Sequence, residues 1–258
     1  MARRKLIAGN WKMVGTTAEN QARVEAILAA LTINQVEWAL LPAFVHLTQV
    51  AALLKQLPQG FAVRLGAQHV SEQPGPGAFT GEVSALMLKD IGVHYVLIGH
   101  SERRSLYGVT DAVTLAQFQA AKAAGLTPIL CVGETRAERE AGRTEAVIAR
   151  QLSAVLDTVK AEGWGDALIA YEPVWAIGTG LAASVEQASQ VHQFIRSRLR
   201  SVGDIMGDSV RILYGGSVKP ANAKELFSVA DIDGGLIGGA ALNAADFLAI
   251  GAAASPSG

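Results

Sequence analysis

Eight short, mostly apolar runs recur along the chain: Lys5–Ala8, Val36–Leu41, Val63–Ala67, Tyr95–Ile98, Thr127–Val132, Ala167–Tyr171, Val210–Tyr214 and Gly235–Ile237. None alternates cleanly between apolar and polar positions, which is the pattern of a strand covered on both faces in a parallel sheet. Between the runs, apolar residues recur three and four positions apart. That spacing predicts helices near Thr17–Leu31, Val45–Leu57, Gly81–Ile91, Asp111–Ala124, Arg136–Glu162, Val185–Ser201, Pro220–Val229 and Ala244–Ala253, with a further helical turn at Ser101–Ser105. Eight strand–helix units in 258 residues average about 32 residues each, a common length for a βα repeat. No stretch reads as a linker.

Periodicity fits a closed (β/α)8 barrel and an open doubly wound sheet equally well. Glycine placement favours the barrel. An open nucleotide fold needs its Gly-rich turn after the first strand, where this chain has Gly9-Asn10-Trp11-Lys12. The glycines cluster instead after the seventh and eighth strands, as Gly215-Gly216-Ser217 and Gly238-Gly239, where barrel enzymes commonly bind phosphate. The expectation is a single α/β domain over residues 1–258, with a short flexible tail at about 254–258.

Composition narrows the function. Half the residues are apolar, and 22 Lys and Arg face 23 Asp and Glu for a net charge of −1, so nothing points to nucleic acid or an anionic membrane. The lone cysteine, Cys131, can form neither an internal disulfide nor a multi-cysteine metal site, and its place in an apolar run reads as a buried, inert thiol. The basic start Met1–Lys5 leads into an apolar stretch too short for a signal peptide, and no run has the length of a membrane span. A cytoplasmic protein is expected.

In a parallel barrel the reacting groups stand where strands end. The strand ends supply Asn10 and Lys12, then His100-Ser101-Glu102, then Glu172, then the two glycine clusters, all able to converge on one mouth. One Gly-Gly pair is most simply a tight turn; two pairs on adjacent strand ends could cradle a phosphate through their amides. Pro173 holds Glu172 extended at its strand end. That carboxylate is either a salt-bridged rim residue or a general base whose proton affinity rises with burial in a closed site. The segment that follows tips the balance: Val174-Trp175-Ala176-Ile177-Gly178-Thr179-Gly180 has the composition of a hinged lid. His100 at a helix start favours a neutral imidazole that can donate to a carbonyl. His46, His69, His94 and His192 read as surface or packing residues, and no spacing suggests a metal site. Glu102 is equally a capping residue or a partner of Lys12.

Asn10-Trp11-Lys12-Met13, Gly99-His100-Ser101-Glu102-Arg103-Arg104, Cys131-Val132-Gly133-Glu134-Thr135, the segment Ala170–Gly180, Tyr214-Gly215-Gly216-Ser217-Val218 and Gly238-Gly239-Ala240 closely resemble the triosephosphate isomerase family, in order, from about residue 5 to about residue 250. The resemblance implies a TIM barrel that interconverts dihydroxyacetone phosphate and glyceraldehyde 3-phosphate, a step of glycolysis and gluconeogenesis, with no cofactor and no metal. It makes Glu172 the base, His100 the neutral electrophile and Lys12 the positive charge near phosphate and oxyanion. Asn10 assists, while Gly178, Ser217, Gly238 and Gly239 bind the phosphate. The lid is Pro173, Val174, Trp175, Ala176, Ile177, Gly178 and Thr179. The segment Gly77, Ala78, Phe79, Thr80, Gly81 and Glu82 is too long and too apolar at Phe79 for a solvated loop, and the family resemblance implies that it docks into a partner in a homodimer. Val14, His69 and Ala241 depart from the family's usual residues, and the loop's first half, with Pro74 and Pro76, looks about one residue longer than usual. Two rivals are another phosphate-binding barrel isomerase and a non-catalytic barrel that binds a phosphorylated metabolite.

Overall fold

The computed structural model describes residues 3–32, 35–57, 60–177 and 183–255. Gly178 and Thr179 of the expected lid and residues 256–258 of the expected tail lie outside them. Eight parallel strands, β1 (Leu6–Asn10), β2 (Glu37–Leu41), β3 (Val63–Ala67), β4 (Tyr95–Ile98), β5 (Thr127–Val132), β6 (Leu168–Tyr171), β7 (Ile212–Tyr214) and β8 (Gly234–Ile237), pair in sequence order and close through β1 against β8.

The helices on the outside are α1 (Thr17–Ala30), α2 (Leu47–Leu54), α3 (Ala85–Asp90), α4 (Ser101–Tyr107), α5 (Asp111–Ala123), α6 (Arg136–Glu140), α7 (Thr144–Trp164), α8 (Val185–Val202), α9 (Asp204–Ser209), α10 (Pro220–Ser228) and α11 (Ala244–Ala254). Their starts are written locally. Thr16 with Glu19, Thr135 with Glu138 and Ser184 with Gln187 form capping boxes, each satisfying two otherwise unpaired amides.

Several expected helices are corrected. The stretch expected as one helix from Arg136 to Glu162 is two, because Gly142 turns with φ 66° between α6 and α7. The helix expected from Gly81 starts at Ala85, where the Ser84 hydroxyl accepts the Met87 amide. Phe44–His46 is a 3-10 turn preceding α2, α9 was not expected, and Gly239–Leu242 forms a further 3-10 turn.

Strand alternation divides the apolar residues between two cores. Leu6, Ala8, Ala39, Leu41, Leu97, Ile129, Cys131, Leu168, Ala170, Leu213 and Leu236 fill the barrel interior, while their sequence neighbours such as Ile7, Trp38, Val96, Leu130 and Ile169 pack against the helices. The second core holds most of the buried apolar residues and so dominates the burial that holds the fold. The alternation also aims the site. Asn10 continues the inward series of Leu6 and Ala8, and Glu172 that of Leu168 and Ala170, so both stand at the C-terminal mouth.

Candidate active site

A cavity of about 650 Å³ opens at that mouth, with Asn10, Lys12, His100 and Glu172 on one side and the 215–219 and 238–240 loops on the other. Ala176 and Ile177 also line it. Of the expected site residues, the fold therefore gathers Asn10, Lys12, His100, Glu172, Ser217, Gly238 and Gly239 in one place; Gly178 lies outside the described residues.

Glu172 is 2% exposed. Its Oε1 is 2.9 Å from His100 Nε2, and its Oε2 accepts the Ser101 amide at 2.9 Å. Gly133 makes this placement possible. A Cβ there would lie 1.8 Å from the Glu172 carbonyl oxygen, so only glycine lets the end of β5 run this close to the end of β6. Burial raises the proton affinity of Glu172, as expected from the sequence, but His100 and the Ser101 amide outweigh it, and the carboxyl is held below its usual range. The expected raised affinity is thus not met in this arrangement.

His100 is the N-cap of α4. Gly99, at φ 65°, turns the chain out of β4, and His100 Nδ1 accepts the Glu102 amide at 3.2 Å. That bond commits the Nδ1 lone pair, so the proton sits on Nε2, facing Glu172. Burial opposes the imidazolium, but the Glu172 carboxylate outweighs it and raises the ring above its ordinary value while the two are together. The Asn10 amide nitrogen lies 3.4 Å from the same Nε2.

Lys12 has a left-handed backbone, φ 54°, held by its amide on Asn10 Oδ1 at 3.0 Å and by Gln68, whose side-chain amide donates to the Lys12 and Leu41 carbonyls, each at 2.9 Å. Its Nζ pairs with Glu102 Oε1, so the structure brings Glu102, in the first turn of α4, to Lys12. The Lys12 stem passes 3.6 Å from where a Gly238 side chain would begin, so the cation reaches across the second glycine cluster. The first cluster is shaped by Asn222, whose side chain donates to the Ser217 carbonyl at 3.1 Å and accepts the Lys219 amide at 2.8 Å.

The described part of the expected lid begins with a 3-10 turn, Val174–Ala176. It is fastened by Glu134, which is fully buried and accepts at one oxygen from Trp175 Nε1 (2.9 Å), Tyr171 (3.1 Å) and Arg139 (3.0 Å). Arg139 also stacks on the Trp175 ring at 4.6 Å. Sequence reasoning missed Glu134 as a positioning residue. The signal was present, since it follows the end of β5 by two residues, the stretch from which the groups of a barrel mouth arise.

Cys131 lies inside the barrel, with burial pushing its thiol well up, so it is inert. His192 is fully buried and His69 partly so, both packing residues as expected; His192 Nδ1 faces the Asp231 carbonyl at 2.9 Å, and His69 meets Arg103 at 3.0 Å. Among the described residues no cluster of His, Cys, Asp and Glu could hold a metal ion, and no helix is long and apolar enough to cross a membrane.

The sequence profile of the triosephosphate isomerase family matches residues 5–254. The chain is 55% identical over 253 residues to a triosephosphate isomerase of Dechloromonas aromatica, covering 98% of this chain and 100% of that one. It is likewise 55% identical over 253 residues to one of Thiobacillus denitrificans, at 98% and 99% coverage, and 53% identical over 249 residues to one of Cupriavidus pinatubonensis, at 96% and 99%.

Proposed function

Because the chain belongs to the triosephosphate isomerase family, we propose that Glu172, His100 and Lys12 carry out the reaction that defines it. The protein interconverts dihydroxyacetone phosphate and glyceraldehyde 3-phosphate. The chemistry needs one base to take a proton from the carbon beside the carbonyl and return it to the neighbouring carbon, and a donor for the oxyanion that forms between. Glu172 is that base. Held ionised beside His100, it is ready to accept a proton on reaching the substrate carbon. His100 is the donor, with its only proton on Nε2. As Glu172 leaves for the substrate, the carboxylate that favours an imidazolium leaves with it, and burial keeps the ring neutral. A neutral histidine acting as electrophile is a general property of this enzyme family, and His100 shares it.

Lys12 supplies charge to the phosphate and the developing oxyanion, Asn10 orients the carbonyl end, and Ser217, Gly238 and Gly239 hold the phosphate with Gly178. Pro173 to Thr179 closes over the substrate. The observation that carries this reading is the juxtaposition of Glu172 and His100 opposite two glycine-rich loops in one 650 Å³ cavity. Neither rival isomerase nor silent binding barrel accounts for a base held this way.

The active form is a homodimer in a cytoplasmic setting. Met13 is 94% exposed and Val45 82%, and Phe79 stands on the next loop. Since β1, β2 and β3 are neighbours, these apolar tips share one rim of the barrel, as a subunit interface does.

The test is a coupled assay in both directions with the parent chain, Glu172→Gln and Lys12→Ala. Glu172→Gln is expected to lower kcat by about 10² to 10⁴ while a phosphate-bearing inhibitor still binds. Lys12→Ala is expected to weaken the inhibitor as well, by about 2 to 5 kcal/mol. Near-normal turnover in Glu172→Gln would remove the base assignment.

A further inference from the structure

Away from the mouth, a groove of about 350 Å³ runs between α2, β3 and α3 near the N-terminal end of the barrel. Four of its lining residues are basic: Lys55 follows α2, Arg64 is in β3, Lys89 is in α3, and His94 precedes β4. Its floor is apolar, formed by residues such as Leu54 and Ile91, and no carboxylate belongs to its lining. In a chain of net charge −1, a groove whose charged groups all share one sign is an uneven distribution of charge.

The cations are poorly neutralised. The Arg64 guanidinium comes no closer than 3.9 Å to Glu37, whose other oxygen is held by Arg211 at 2.7 Å. Lys89 donates to a neutral carbonyl, that of Gly125, at 2.7 Å, and Lys55 makes no ion pair among the described residues. His94 registers this convergence. Burial and then Arg64 lower its proton affinity, with Lys89 adding to them, against the weaker pull of Glu37 and Asp166.

We propose that this groove binds a soluble phosphate monoester with a short apolar body, the dianion seated among Lys55, Arg64, Lys89 and His94. A phosphate monoester carries close to two negative charges at neutral pH and offers three acceptor oxygens, which suits three cations and an imidazole, while its carbon body covers the apolar floor. The groove shares no lining residue with the catalytic cavity.

The test follows the His94 ring protons by NMR across a pH titration of the intact protein. The catalytic mouth is saturated throughout with a non-reacting substrate analogue. The probes are n-butyl phosphate, inorganic phosphate, vesicles containing phosphatidic acid, and sodium chloride at matched ionic strength. A bound dianion favours the imidazolium, so n-butyl phosphate is expected to raise the proton affinity of His94 at least about threefold, or half a pH unit, saturably and at lower concentration than inorganic phosphate. Lys55→Ala combined with Lys89→Ala is expected to abolish the shift and leave isomerisation unchanged. An unmoved His94, a shift equal to that with sodium chloride, or a shift that persists in the double variant would overturn the proposal. A response to vesicles alone would overturn it too, in favour of a lipid headgroup.

Discussion

Burial opposes charge at Glu172, His100 and His192 alike, and what separates the three is the partner each one keeps. Glu172 is held ionised by the His100 ring that faces it at 2.9 Å and by the Ser101 amide, and its charge in turn raises the proton affinity of His100. His192 has no carboxylate in contact. Its Nδ1 faces a carbonyl, its Nε2 has no hydrogen-bond partner among the described residues, and its pKa falls to about 4 against an ordinary 6.5. The unfolded chain therefore binds a proton at this residue between pH 6.5 and about 4 while the folded chain does not, so stability is lost as the pH falls through that window. The loss amounts to roughly 3 kcal/mol by pH 4, and His69, also lowered to about 4, adds to it in the same direction. Denaturant unfolding of parent and His192→Gln at pH 7 and pH 4.5 checks this. The variant is expected to be less stable at pH 7 but to lose less on acidification; an equal loss in both would refute it. The same scale shows where sequence reading stops. Glu134 and Trp175 are 41 positions apart, so no local pattern could pair them, and Glu102 could be offered to Lys12 only as one of two readings, whereas Pro173 after Glu172 and a glycine before His100 mark their positions directly.

Every strand falls within two residues of the run that predicts it, because an apolar strand covered on both faces leaves an unbroken hydrophobic stretch. Helix boundaries were less legible. Gly142 ends α6 through a left-handed turn inside a continuous helical pattern, and α9 restarts a helix right after Gly203, at a point where the pattern reads as an end. One strand end also bears on catalysis. Gly133→Ala puts a methyl against the Glu172 carbonyl and must push the ends of β5 and β6 apart. It is expected to fold with a stability loss of about 1 to 3 kcal/mol and with kcat falling more than KM changes, since the shift displaces the base and leaves the glycine loops in place. Unchanged kcat in a destabilised variant would show that the base tolerates the movement.

At the scale of the whole molecule, the apolar rim at Met13, Val45 and Phe79 predicts the assembly. Met13→Glu combined with Phe79→Glu is expected to yield a folded monomer by sedimentation, with kcat down on the order of a hundredfold, since loops that carry Lys12 would lose their support. A monomer of full activity would refute it. Closure of the barrel reaches further. Leu6 pairs with Gly234, and the Lys12 stem lies against Gly238, so the cation after the first strand and the glycine loop after the eighth become neighbours only when these two strands meet. Seven strand–helix units without the eighth still lack the loop at Gly238 and the strand that pairs with the one leading to Lys12. Triose phosphates therefore meet a working site only once the eighth strand has joined the first, and a chain that stops before Gly234 is expected to show no turnover although it carries Lys12, His100 and Glu172.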